Sequence, residues 1–132
     1  MMKRRTAREK ALQALFQMDM NEASPEDAIR NALDGQESDD YLEKLVNGTA
    51  THLAEIDAMI SQHLENWTLD RLAKVELNIL RLAAYELMYA EDVPANVAIN
   101  EALEIAKRFA DEKSAKFING VLNQMKDSIE SK

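Results

Sequence analysis

The chain has 132 residues, 46% of them apolar, a formal net charge of −8 and no cysteine. That length and apolar share suffice for one domain with a buried core, and the missing cysteine removes disulfides, thiol nucleophiles and thiolate metal sites. No apolar run approaches the roughly 20 residues of a membrane span, and none follows the basic start as a secretory leader requires, which points to a cytoplasmic protein.

Charge is unevenly placed along the chain. Five basic residues and one acid between Met1 and Met18 give +4, two basic residues and twelve acids from Asp19 to Asn66 give −10, and nine basic against eleven acidic residues from Trp67 onward give −2. Screening over about 8 Å at physiological salt makes local sign matter more than the total. An acidic whole is therefore compatible with a small, directed basic site.

The periodicity is helical nearly throughout, with three Gly and two Pro to interrupt it, and it predicts an all-α fold. Thr6 and Glu9 form a capping box that starts the first helix near Ala7 and carries it to Asp19. Lys3, Arg4 and Arg5 then precede the helix, and Ala11, Leu12, Leu15, Phe16 and Met18 supply its apolar face. Ser24 and Pro25, with Glu26 and Asp27 behind them, open a short second helix that Gly35 stops. Ser38, Asp39 and Asp40 open a third, whose apolar positions run from Tyr41 to Leu64 with Gly48 as a bend. Trp67 to Ala90 is apolar almost all round and reads as a central, buried helix. Pro94 ends it; a further helix runs from Val97 to Phe109, and a last one from Lys113 spaces Ile118, Val121, Leu122, Met125 and Ile129 along one face. The expected architecture is a bundle of about seven helices in a single domain, 1–132, with an N-terminal half over 1–66 and a C-terminal half over 67–132.

Catalytic chemistry finds no support in the sequence. His52 and His63 stand in no HExxH or ExxH arrangement, glycine is too rare for a phosphate loop, and the carboxylates are scattered without a motif. No enzyme activity, metal or cofactor is expected. The opening KRRTARE is different, because positive side chains at a helix N-terminus oppose the macrodipole and helix stability does not account for them. An anion would: free backbone N–H groups of the first turn together with Arg4, Arg5 and Arg8 suit a phosphate of a nucleic-acid backbone. A solvated tail that aids solubility explains the same residues. A second stretch, KRFADEKSAKF, interleaves Lys107, Arg108, Lys113 and Lys116 with Phe109 and Phe117, pairing charges for a phosphate chain with rings on which unpaired bases stack. Phe117 lies off the apolar stripe of the last helix by about one helical step.

Together TAREKALQALFQ at one end and VAINEALEIAKRF with KSAKFINGVLNQM at the other resemble the NusB family of bacterial transcription antitermination factors, and LDRLAKVELNILRLAAYELMYAEDVP between them is similar to the same family. The resemblance covers almost the whole chain and is loosest from Asn21 to Asp40. It implies two small helical bundles packed perpendicular, no catalysis, and binding of the boxA element of nascent ribosomal RNA together with NusE, a small-subunit ribosomal protein. The pair would then serve the RNA polymerase antitermination complex. Carried over by position, the family's RNA-facing residues fall on Lys3, Arg4, Arg5, Arg8 and Phe16, and on Lys113, Lys116, Phe117 and Asn119, with Gly120 completing the family's KFxNG segment. Its NusE-facing surface falls on Glu76 and Arg81. Ala110 stands where many members have glycine, and Lys113 where some carry an acid. The competing reading is a helical interaction or structural adaptor without specific RNA binding, and either reading permits a homodimer.

Overall fold

The first helix of the computed structural model, which describes residues 2–131, begins earlier than its capping box predicts. Helix α1 spans Arg4–Asn21 with Lys3 at its N-cap and no side-chain cap, so Thr6 and Glu9 lie inside it. The basic residues occupy its first turns instead of preceding it. Carboxylates brought from distant parts of the chain, described below, pair with the arginine side chains of those turns. Helix α1 closes on Glu22 in the left-handed conformation (φ 56°), whose N–H returns to the carbonyl of Met18 at 3.1 Å.

Helix α2, Pro25–Leu33, starts as its sequence predicts: the Ser24 hydroxyl accepts the Asp27 N–H at 3.2 Å and Pro25 occupies the first turn. It closes on Asp34, also left-handed at φ 50°. Asp39 caps the next helix by accepting the N–H groups of Tyr41 and Leu42 at 3.0 and 3.3 Å. The expected long third helix is two helices, α3 (Asp40–Thr51) and α4 (Leu53–Gln62), broken at His52. Gly48 has another task than bending: a Cβ at that position would overlap the ring of Tyr85, so its bare Cα is what lets the tyrosine lie against α3.

The predicted central helix also begins later than expected. Residues Leu69–Arg71 form a short 3₁₀ turn, Trp67 is 54% exposed, and the helix itself, α5, runs over Lys74–Tyr89. From Leu77 to Leu80 and from Leu82 to Glu86 its residues are buried without interruption. Helix α6 spans Ala95–Phe109 behind Pro94, and α7 spans Glu112–Glu130, capped by Asp111, which accepts the Ser114 N–H at 2.7 Å.

Helix α5 packs against α1, α3, α4, α6 and α7. On one side α1, α2 and α3 pack together; on the other α6 and α7 close on α5, and α4 bridges from α3 to α5 and α7. One apolar core carries residues of all seven α-helices, with Leu42, Leu45, Ile56, Ile60, Leu80, Ile118, Leu122 and Met125 fully buried in it.

Candidate nucleic-acid interface

Three arginines of α1 meet three different environments. Arg8 is 4% exposed, and its Nε and Nη2 donate to the two carboxylate oxygens of Glu86 on α5, each at 2.9 Å. Tyr41 of α3 donates its hydroxyl to the same carboxylate. Burial and this hydrogen bond push the tyrosine pKa up, so the hydroxyl stays protonated and remains a donor. A side chain so enclosed has no face left for a polymer, and its charge is answered inside the molecule. Arg8 is therefore enclosed in the folded chain, where the expectation from the sequence had it on the surface with Arg4 and Arg5.

Arg4 and Arg5 remain outside. The guanidinium of Arg4 lies 4.2 Å from the centre of the Tyr41 ring, a cation–π contact, with Asp92 at 3.5 Å. Arg5 pairs side-on with Glu101 of α6, Nε to Oε1 at 3.0 Å and Nη2 to Oε2 at 2.6 Å. The hydrogen bond from Arg5 holds the Glu101 carboxyl below the usual carboxylate range. Lys3 is exposed just ahead of them.

A little farther along, the signs reverse: Glu9 of α1 accepts Arg108 of α6 at 2.8 Å. Because Arg5 meets Glu101 and Glu9 meets Arg108, the start of α1 runs alongside α6 in the same direction. Helix α1 is antiparallel to α5, since Arg8 pairs with Glu86 near the end of α5 while Asp19 accepts Asn78 at 3.2 Å near its start. That same end of α5 holds the first turn of α7, where Ser114 donates to Glu76 at 2.6 Å. The consequence is a row and not a patch. Lys3, Arg4 and Arg5 mark one end, exposed Lys107, Arg108 and Phe109 follow about 12 Å on by the 1.5 Å rise of a helix, and exposed Lys113 and Lys116 stand at the far end.

Of the predicted aromatics, Phe16 is half-buried in the later part of α1, toward the α7 end of the row, and Phe117 is half-buried with part of its ring packed on the core. Asn119 is exposed, and its Oδ1 accepts the Asn123 side chain at 2.7 Å. Ala110, between α6 and α7, has a negative φ of −131°, so the left-handed freedom of glycine is not needed there.

The two residues matched to a protein partner part company. Glu76 is half-buried and committed to Ser114. Arg81 donates to both oxygens of Asp57 at 2.8 and 2.9 Å and reaches toward Asp19 at 3.6 Å. It forms the polar wall of a cleft whose apolar lining comes from Leu15, Met18, Ala50 and Leu53. Sequence reasoning missed Tyr41, Glu86, Asp92 and Glu101, and nothing local marks them, since each acts on a residue at least 33 positions away. Among the described residues no group of His, Cys, Asp or Glu is placed to hold a metal, and no helix is long and apolar enough to cross a membrane.

Comparison with known proteins gives consistent results. The NusB family model matches residues 5–127. The chain is 60% identical to the transcription antitermination protein NusB of Bacillus velezensis and 58% identical to that of Bacillus subtilis; each alignment covers 98% of this chain, with 100% and 98% of the respective relative. Among solved structures, Thermotoga maritima NusB superposes with a TM-score of 0.88 at 38% identity, covering 96% of this chain and 92% of that one. A structure of antitermination factors NusB and NusE in complex with double-stranded RNA superposes with 0.86 at 32% identity, covering 95% and 96%. The all-helical architecture and the reach of these alignments agree from end to end, and the chain belongs to the NusB family.

Proposed function

We propose that this protein is a transcription antitermination factor that binds boxA-type single-stranded RNA of nascent ribosomal transcripts together with NusE and so helps RNA polymerase remain processive. The observation that carries the reading is the row of exposed cations from Lys3 to Lys116 along α1, α6 and the start of α7, with exposed Phe109 among them; the half-buried Phe16 and Phe117 are the further rings we assign to it. Its spacing suits a phosphate chain, and its rings suit splayed bases. The names of the relatives support the antitermination role, and the solved assembly of NusB and NusE with double-stranded RNA supports binding of RNA and of NusE. RNA-contacting roles go to Lys3, Arg4, Arg5, Phe16, Lys113, Lys116, Phe117 and Asn119. Arg8 supports them from inside. For NusE, the cleft walled by Arg81 is the proposed docking surface, while Glu76 holds the first turn of α7 in place.

A titration with boxA-like and scrambled RNA oligomers across a salt series tests this. The boxA oligomer is expected to bind more tightly, and Arg4→Ala with Arg5→Ala to weaken it and flatten the salt slope by about 0.7 for each single-strand phosphate no longer neutralised. Equal affinity for both oligomers would favour the adaptor without specific RNA binding. An unchanged slope in the double variant would remove the arm from the interface. Leu53→Glu, on the rim of the cleft, is expected to weaken NusE binding and leave affinity for RNA alone within about twofold of the parent, the tolerance for a remote surface charge.

A further inference from the structure

A face that takes a polyanion gains nothing in affinity from carboxylates set among its arginines, yet Glu101 and Glu9 sit there. Both are mostly covered, with side chains 17% and 16% exposed, while their partners Arg5 and Arg108 are 55% and 67% exposed. Pairs this open to water contribute little to stability, so stability is a weak reason for them. Glu101 differs from Glu9 in one respect. Its Oε1 also lies 3.6 Å from Nη1 of Arg8, a guanidinium already fixed by Glu86, whereas the ion-pair partner of Glu9 among the described residues is Arg108 alone.

That second cation decides what happens when a phosphate approaches Arg5. The Nε and Nη2 edge that Glu101 occupies is the edge a phosphate takes side-on. If Arg5 swings to a phosphate, Glu101 keeps Arg8 and no carboxylate is left unpaired against the protein. The exchange is open to Arg5 and closed to Arg8. On the RNA-binding reading above, we propose that Glu101 is a built-in competitor that occupies Arg5 in the free protein and must be displaced by the RNA backbone. The device keeps the arm ordered and locally neutral until a ligand that grips several groups at once arrives. Single anions, too weak to displace a bidentate carboxylate, find Arg5 already taken.

The test is Glu101→Gln, which keeps the size of the side chain and an acceptor for Arg5 but removes the competing charge. Binding of a single-stranded boxA-type oligomer is measured over a salt series for the parent, Glu101→Gln, Arg5→Ala and the double variant, alongside each protein's thermal midpoint. Glu101→Gln is expected to bind up to about fivefold more tightly, the worth of one exposed ion pair, with a salt slope steeper by up to about 0.7. In the Arg5→Ala background the same change is expected to do nothing. Unchanged or weaker binding by Glu101→Gln overturns the competitor, as does an equal gain with and without Arg5, which would mark a long-range charge effect. A lowered thermal midpoint together with weaker binding would make Glu101 a structural support and overturns it too. Absence of binding by the parent protein would instead overturn the RNA reading on which this rests.

Discussion

Burying Arg8 beside Glu86 takes two charges out of water, and only full pairing offsets that cost. The geometry supplies the pairing: two hydrogen bonds between guanidinium and carboxylate, and a third to the carboxylate from Tyr41. Removing one partner strands the other, so Arg8→Ala is expected to destabilise the fold by about 3–5 kcal/mol. Arg8→Met with Glu86→Leu, which removes both charges at similar volume, is expected to recover most of that loss in a urea titration. The RNA salt slope of folded Arg8→Ala should match the parent, unlike that of Arg5→Ala, because a buried guanidinium releases no counterion from RNA. None of this was legible in KRRTARE. Arg8 reads there like its neighbours, and the residue that separates it from them is 78 positions away.

Where local chemistry sets a helix end, the sequence is read correctly, and where tertiary contacts set it, the reading slips. Ser24 with Pro25 and Asp39 with Asp40 mark true starts, because the cap is a side chain a few residues from the N–H groups it satisfies. The start of α1 has no such cap; its arginines pair instead with Asp92, Glu101 and Glu86, and Thr6 and Glu9 offered a false start. Apolar spacing continued smoothly through His52 and hid the break between α3 and α4. Asp111 fixes where α7 begins, one residue later, with Lys113 and Lys116 of the proposed interface in its first turns. The Ser114 N–H holds the Asp111 carboxyl below its ordinary 3.8. A carboxyl lowered in the folded state stabilises it fully above that ordinary value, and the contribution is lost as pH falls through the lower, folded value. Asp111→Ala is therefore expected to lower the urea midpoint at pH 7 and to converge with the parent in acid well below pH 3.8, as denaturant curves at several pH values would show.

At the scale of the molecule, an acidic total and an exposed basic row coexist because the basic residues cluster in the sequence, while the fold sets Asp92, Glu101 and Glu9 beside them as partners. Composition alone gave the sign of each segment; the row needed the parallel run of α1 beside α6, which no periodicity encodes. The two halves read from the sequence exchange material across their boundary. Helix α4 belongs to the first by position, yet it packs on α5 and α7, and α5 in turn carries α1 and α3. A core continuous through all seven α-helices leaves neither half able to cover its apolar face alone. We expect one cooperative unfolding transition, with calorimetric and van't Hoff enthalpies equal and coincident curves by circular dichroism and heat capacity. Two resolved transitions would show that the halves are separate folding units.

Helix α1 ends on a glutamate in the left-handed region, where a Cβ costs about 1 kcal/mol that glycine avoids. Glu22 lies beyond the last turn, at the opposite end of α1 from the arginine arm, and its backbone N–H keeps the same bond to Met18 whatever its side chain. The chain thus holds a margin of thermal tolerance it does not use. That margin can be engineered at a helix terminus while the charges of the proposed RNA interface are left as they are.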